Sequence, residues 1–325
     1  SRVNGNRHAS VIRRAIEEST GLPVYGVVPR LPDMPFVQRH LGLIPPDEHD
    51  AVRQALERAG EIARDYLDVP GLLAVAQGAA PWKIDAFPKP AASRRHSAEP
   101  LKIGIFRDAA FQFYYQENIE ALTDRGARVT FINALEEKTL PPVDALYIGG
   151  GFPETRACRL AQNESFRKSV KEAAEKGLPI YAECGGFIYL GESLRVGENR
   201  YPMAGVLPVE FILENKPQGH GYTTLVADQD NPFFPAGTTL TGHEFHYCRI
   251  LSRKEQDTYT AFKVLKGQGL NGHREGLCRK HVLAGFTHLH ALGTDQWANA
   301  IIREARRHRN DHSIIEDNIN IIRRF

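Results

Sequence analysis

From Leu101 onward, short apolar runs alternate with segments of helical periodicity, and that alternation leaves few folds open to the chain. Residues 102–106, 129–132, 145–148 and 179–183 read as strands. Between them, Tyr115, Ile119 and Leu122 mark a helix stopped by Gly126, and residues 164–176 form another stopped by Gly177. Repetition at this spacing predicts an α/β fold, a mostly parallel sheet flanked by helices. In such a sheet, reactive groups gather at the carboxyl ends of the strands. Gly149-Gly150-Gly151 and Cys184-Gly185-Gly186 both fall at such ends. Past residue 205 the text turns strand-rich, over 206–213, 222–227, 238–247 and 261–265. A final helix is expected over 295–307, with Trp297, Ile301 and Ile302 facing inward.

The run Tyr181-Ala182-Glu183-Cys184-Gly185-Gly186 places a cysteine between an apolar strand and a segment, 187–194, that can turn helical. A thiol on such a strand-to-helix turn is lifted out of the sheet, and a helix N-terminus behind it favours the thiolate. Two following glycines let the backbone approach a substrate closely. This is the logic of an acyl-transfer nucleophile. The competing reading is a buried core cysteine, the usual fate of a free thiol.

A cysteine nucleophile needs a base close in space. Residues 283–290 form an apolar run ending in His288 and His290 at alternate positions, which share a side if the strand continues. One can take the thiol proton and the other can orient it. Attack on an amide carbonyl generates an oxyanion, and Gly149, Gly150, Gly151 and Gly185 can offer backbone N–H donors to it. No G-x-x-x-x-G-K-[ST] phosphate loop occurs. Gly242-His243-Glu244-Phe245-His246-Tyr247 has histidines three apart rather than four, on a strand pattern, so no metal site is expected there.

A formal net charge of +2 demands neither nucleic acid nor an anionic membrane, and no apolar run approaches a membrane span. Cys158, Cys184, Cys248 and Cys278 show no C-x-x-C spacing, which fits a reducing cytoplasm. Four segments are expected: 1–75, a linker over 76–100 rich in proline, a main domain over 101–310, and a tail over 311–325. In the first, residues 8–18 read as a helix stopped by Gly21, residues 22–28 as a buried strand, and residues 50–67 as an amphipathic helix. Ser1 stands where an initiator methionine would, and a lone helix and strand need a sheet to pack on, so upstream sequence is expected.

Several separated motifs in order then resemble a known family. Asp108-Ala109-Ala110-Phe111-Gln112-Phe113-Tyr114-Tyr115, Leu146-Tyr147-Ile148-Gly149-Gly150-Gly151-Phe152-Pro153-Glu154, the Cys184 run and the His243 run are similar to those of the cobyrinate (or hydrogenobyrinate) a,c-diamide synthases. The likeness covers about residues 2–307, with Arg39-His40-Leu41-Gly42-Leu43 matching in the first segment. The resemblance implies a class I glutamine amidotransferase-like, flavodoxin-like domain, preceded by the end of a P-loop-type α/β domain like dethiobiotin synthetase. It implies ATP and Mg2+ in the full-length protein, at a site this chain does not contain, and no prosthetic group. Glutamine would be the ammonia donor and a corrinoid-type tetrapyrrole the acceptor, with the upstream synthetase domain as partner and a homodimer compatible. It also implies Cys184 as nucleophile and His288 as its base. His290 stands where ordinary class I glutaminases carry a glutamate, and Ile188 where many carry a glutamine-binding Gln. Glu154, His246 and Tyr247 are then the candidates for holding glutamine, while Arg39 and His40 read as a structural turn.

Three other readings stay open. The acceptor could be a sirohydrochlorin or sirohaem carboxylate. The fold could serve as a non-catalytic interaction module, against which the joint presence of Cys184 and His288 speaks. Or His243, His246, His288 and His290 could form a metal hydrolase.

Overall fold

A computed structural model describes residues 2–31, 52–81, 99–254 and 257–322. Two compact units divide the chain, residues 1–89 and 90–325. In the first, α1 (Gly5–Thr20) ends at Gly21, whose φ of 68° lets its N–H turn back to Glu17 O at 3.0 Å. Helix α2 (Val52–Tyr66) matches the expected amphipathic segment. Helix α3 (Val69–Gly78) was not expected; Asp68 caps it by accepting the Gly71 N–H. The strand expected over 22–28 is not formed. The described residues there make single bridges only, Gly26 to Leu67 and Val3 to Pro29, and a run without a continuous partner cannot complete a ladder. Arg39, His40 and most of the proline-rich linker lie outside the described residues.

The second unit is built on a ten-stranded sheet. Its parallel half contains β1 (Lys102–Phe106), β2 (Arg128–Ile132), β3 (Ala145–Ile148), β4 (Ile180–Glu183) and β13 (Val282–Gly285). They run in the order β13-β4-β3-β1-β2. Antiparallel strands β8 (Gly219–Ala227), β9 (Thr239–His246), β11 (Tyr259–Lys266), β12 (Arg274–Arg279) and β14 (His288–Leu289) complete it in the order β14-β9-β8-β11-β12-β13. A second sheet of four strands holds β5 (Ser193–Val196), β6 (Asn199–Pro202), β7 (Val209–Leu213) and β10 (Cys248–Arg253).

The central strands read as unbroken apolar runs because both faces of the sheet are covered. On β3 and β4, Leu146, Ile148, Ile180 and Ala182 pack into a core with Phe106, Phe166, Val170 and Tyr189, under α6 (Glu164–Glu175) and α7 (Gly185–Leu190). Tyr147 and Tyr181 point the other way, into a core with Ile119, Trp297 and Ile301, under α4 (Gln116–Asp124) and α8 (Gln296–Ile322). After β3, a one-turn 3-10 helix (Pro153–Arg156) leads into α5 (Ala157–Gln162). The helix expected over 187–194 stops at Leu190, because the chain turns at Gly191 and enters β5. Helix α8 runs on past the expected end at Arg307, to Ile322.

Register decides where chemistry can occur. Ile148 pairs with Ala182, and Glu183 pairs with Gly285. Three parallel strands therefore end at the same level, and each releases its next residues onto the same edge.

Candidate active site

The three strand ends deliver Gly149–Gly151, Cys184 and the segment leading to His288. Cys184 sits at the head of α7 with φ 48° and ψ −100°, one of four non-glycine residues with positive φ among those described. A side chain rarely takes this conformation, and it persists here because both flanks are tied down. Cys184 N–H donates to Gly285 O at 2.7 Å, Gly186 N–H to Gly149 O at 3.0 Å, and Ile188 N–H to Cys184 O at 3.0 Å. The thiol is only 6% exposed and donates weakly toward Phe245 O at 3.9 Å.

His288 lies on β14, opposite His243 of β9. Its Nδ1 stands 3.4 Å from Glu183 Oε2, and both Cys184 and Glu183 act on the charge of the ring. Burial opposes the charged imidazole, but these two partners overturn it and push His288 up to about 10. An imidazolium beside a cysteine sulfur is the arrangement that stabilises a thiolate. Helix α7, only six residues long, can add little of its own. Glu183 is itself fixed. Tyr147 O–H donates to its Oε2 at 3.2 Å and Leu289 N–H to its Oε1 at 3.1 Å. The His243 ring stacks on His288 at 5.0 Å and is linked to the Tyr115 hydroxyl at 3.3 Å. Burial, and then the neighbouring His288, hold His243 below its ordinary value and thus neutral.

The glycine loop is shaped by the segment over residues 108–115. Asp108 accepts the N–H groups of Ala110, Phe111 and Ala134, which folds that segment. Phe113 N–H then donates to Gly150 O at 3.1 Å, Phe152 N–H to Ala110 O at 2.9 Å, and Gly149 N–H to the Tyr114 hydroxyl at 2.9 Å. A Cβ on Gly151 would stand 2.1 Å from Ala110 O, and one on Gly150 would stand 2.5 Å from His288 Cε1. No residue with a side chain fits either position. The head of α7 meets this loop directly: the Cβ direction of Gly185 points to Gly151 N at 3.0 Å. The Gly186 amide is already taken by Gly149 O.

The structure thus brings Cys184, His288, Gly150, Gly151 and Gly185 into one place. Gly149 lines the same loop with its N–H committed to Tyr114. Glu154 is half-buried on the 3-10 helix; it and Cys184 both act on Cys248, whose thiol burial pushes well up. Tyr247 is half-buried between β9 and β10, with its ring 6.0 Å from Phe245. His246, 5% exposed, is held from several sides. Its ring lies flat on Phe286 at 3.8 Å, its Nδ1–H donates to Cys248 O at 2.7 Å, and its Nε2 lies 3.7 Å from Glu244 Oε2.

His290 is not where alternation would put it. Strand β14 ends at Leu289, the chain turns, and His290 faces Tyr115 and Glu117 at 4.3 Å and 3.6 Å. The carboxylate behind His288 is Glu183, which the sequence reading passed over. Its signal was present: a lone glutamate closes a strand that is otherwise wholly apolar, and a buried carboxylate there requires partners. The four histidines of the metal reading do not converge, and no group of three or more His, Cys, Asp or Glu residues among the described ones could hold a metal ion. No helix among the described residues is long and apolar enough to cross a membrane.

Residues 102–296 match the model of the CobB/CobQ-like glutamine amidotransferase domain. A cobyrinate a,c-diamide synthase of Magnetococcus marinus is 35% identical over 299 residues, covering 91% of this chain and 64% of that protein. One of Archaeoglobus fulgidus is 37% identical over 307 residues, covering 94% of this chain and 65% of that protein. The chain thus spans under two thirds of the length of these curated relatives. The solved structure of PurLQS from Thermotoga maritima is 15% identical with a TM-score of 0.47, covering 66% of this chain and 99% of that one.

Proposed function

From the premise that the chain belongs to the CobB/CobQ-like glutamine amidotransferase family, we propose that its second unit releases ammonia from glutamine through a cysteinyl thioester. The observation that carries this reading is the pairing of Cys184, on its positive-φ turn, with a His288 that Glu183 holds from behind.

The chemistry follows from those positions. Cys184 Sγ attacks the side-chain amide carbon of glutamine, forming a carbon–sulfur bond and an oxyanion. The N–H groups of Gly185 and of the glycine loop receive that oxyanion. His288 passes its proton to the amide nitrogen, the carbon–nitrogen bond breaks, and ammonia leaves. His288, now neutral, takes a proton from water, which attacks the thioester. The carbon–sulfur bond breaks and glutamate departs. Glu183 holds Nδ1 throughout, so Nε2 is the atom that works.

We propose a corrinoid carboxylate as the acceptor of the ammonia in the longer protein, as the names of the relatives suggest. The resemblance also implies ATP and Mg2+. The sequence has no phosphate loop, and the described residues offer no metal-holding cluster, so the residues present do not fit these groups and no step here runs through them.

The test is intact mass and peptide mapping after incubation with the glutamine analogue 6-diazo-5-oxo-norleucine. One adduct on Cys184, with glutamate release from glutamine that Cys184→Ala abolishes, is the expected result. Glutamine hydrolysis unchanged in Cys184→Ala would overturn the reading. Comparison of cobyrinate with sirohydrochlorin as acceptor, using the full-length protein, tests the acceptor.

A further inference from the structure

We propose that Glu275 is a positioning residue of this site: its buried carboxyl holds the short backbone segment from which both Cys184 and His288 hang. The inference deepens the glutaminase reading and rests on it for its kinetic consequence.

Glu275 lies on β12, is 1% exposed, and touches neither the thiol nor the imidazole. Its Oε1 accepts the Phe286 N–H at 2.5 Å and the Thr287 N–H at 3.2 Å. Those two residues bridge the break between β13 and β14, where the ladder cannot bond them. Directly before them, Gly285 O accepts the Cys184 N–H, and directly after them comes His288. One carboxyl oxygen therefore fixes the spacing between the nucleophile's backbone and the base. Gly285 carries no side chain because that oxygen occupies the space, 2.1 Å from where a Cβ would stand.

The second oxygen is what makes the device sensitive to charge. Glu275 Oε2 and Thr287 Oγ1 have no hydrogen-bond partner among the described residues. Both residues, with Tyr181 of β4, line a cavity with about 20 Å³ open to the centre of a water molecule. That is room for about one water and none for a substrate. The charged or titratable groups packed nearby are Tyr181 in the cavity wall, Glu244 on β9 and, beyond it, His246, 3.7 Å from Glu244. Glu244 stays below the ordinary carboxylate range: burial opposes its charge, but His246 and the Gln268 and Gly269 amides outweigh that. Among the described residues, no cation acts on Glu275. Burial and then Glu244 push it up to about 8, against the pull of the Thr287, Phe286 and Gly276 amides. At neutral pH it clamps the segment as a neutral acid. Above that, the new anion is held more tightly by the two amides and repelled by Glu244, so the segment it positions shifts.

The test is the pH profile of Cys184 alkylation by iodoacetamide, read by mass spectrometry in the wild type, E275Q and E275A, with glutamine hydrolysis measured alongside. Glutamine at 275 keeps an oxygen for the two amides and cannot ionise, so it also guards against a variant that fails to fold. The wild type is expected to show a step near pH 8 that E275Q lacks. E275A is expected to lose on the order of 10- to 100-fold in kcat, the cost of a small misplacement, with KM within about 2-fold. The same step in the wild type and E275Q overturns the inference, whether or not glutamine is hydrolysed. A step that vanishes in E275Q while no protein hydrolyses glutamine supports the clamp and overturns the glutaminase reading instead.

Discussion

His288 Nδ1 faces Glu183 Oε2 at 3.4 Å, so the carboxylate that holds this imidazole immediately precedes Cys184 in the chain. Side chains alternate across a strand, so Glu183 and Cys184 leave the end of β4 in different directions. The left-handed turn at Cys184 then brings the sulfur round to the same imidazole that Glu183 holds. Two consecutive residues thus act on one histidine.

Glu183→Gln tests that arrangement. The amide keeps an oxygen for Leu289 N–H, so the fold is expected to survive. Its NH2 group can present a donor to Nδ1, which favours the wrong tautomer. Loss of the orienting carboxylate should lower kcat for glutamine by on the order of 10²- to 10⁴-fold, with a much smaller change in KM. Steady-state glutamate release checks this, and a wild-type kcat would remove Glu183 from the mechanism.

His290→Ala separates the two candidates for the third position. His290 sits a third exposed beside Glu117 and Tyr115, and an exposed pair of this kind stabilises little. Glutamine hydrolysis is expected to change less than about 3-fold, whereas removal of a central catalytic group costs far more. A drop comparable to that of Glu183→Gln would restore His290 as the orienting group.

Much of this arrangement was legible in the sequence because it is local. Gly126 and Gly177 end their helices at φ 83° and 94°, as the pattern required, and the strands before Gly149 and Cys184 are where apolar runs placed them. The grouping of Gly149–Gly151 with Cys184 follows from a parallel sheet alone. What was not legible depends on strand breaks. Alternation pairs His288 with His290 only if the strand continues, and β14 is two residues long. Glu183 and Glu275 escaped notice for the same reason: each is defined by a partner more than ten residues away, at a place where the ladder stops bonding its own amides. The class I resemblance points to the same position, since those enzymes carry a glutamate where this chain has His290.

Gly150→Ala should damage the site through contact rather than chemistry. The added methyl would stand 2.5 Å from His288 Cε1, a separation real Cβ atoms do not show, so the imidazole must move. His288 is also packed against His243, and overpacking of this sort costs about 1–3 kcal/mol. We expect a lower unfolding midpoint in urea together with at least about 10-fold slower labelling of Cys184 by the diazo-oxo analogue, since a displaced base no longer meets the sulfur. Normal labelling would mean that the ring has room the geometry does not show.

The charge on His288 gives a prediction with a sign. Its folded value is raised to about 10 from an ordinary 6.5, so the folded state holds a proton that the unfolded chain releases in between. The stability this contributes is fully present below about pH 6.5 and is lost as the pH rises toward 10. Glu275 adds to the slope. Its folded value of about 8 exceeds the ordinary 4.5, so between these the folded state again holds the extra proton, and stability falls as the pH rises. Each group can contribute at most about 1.4 kcal/mol per pH unit. Urea unfolding from pH 6.5 to 9 should therefore show declining stability in the wild type. In Cys184→Ala one of the partners that raises His288 is gone, so the decline over this range should be shallower, and NMR titration of the His288 ring should show deprotonation at lower pH than in the wild type. A His288 ring that titrates identically in both proteins would mean that sulfur and imidazole are not paired, and the proton inventory of the proposed reaction would then have to begin from a neutral histidine.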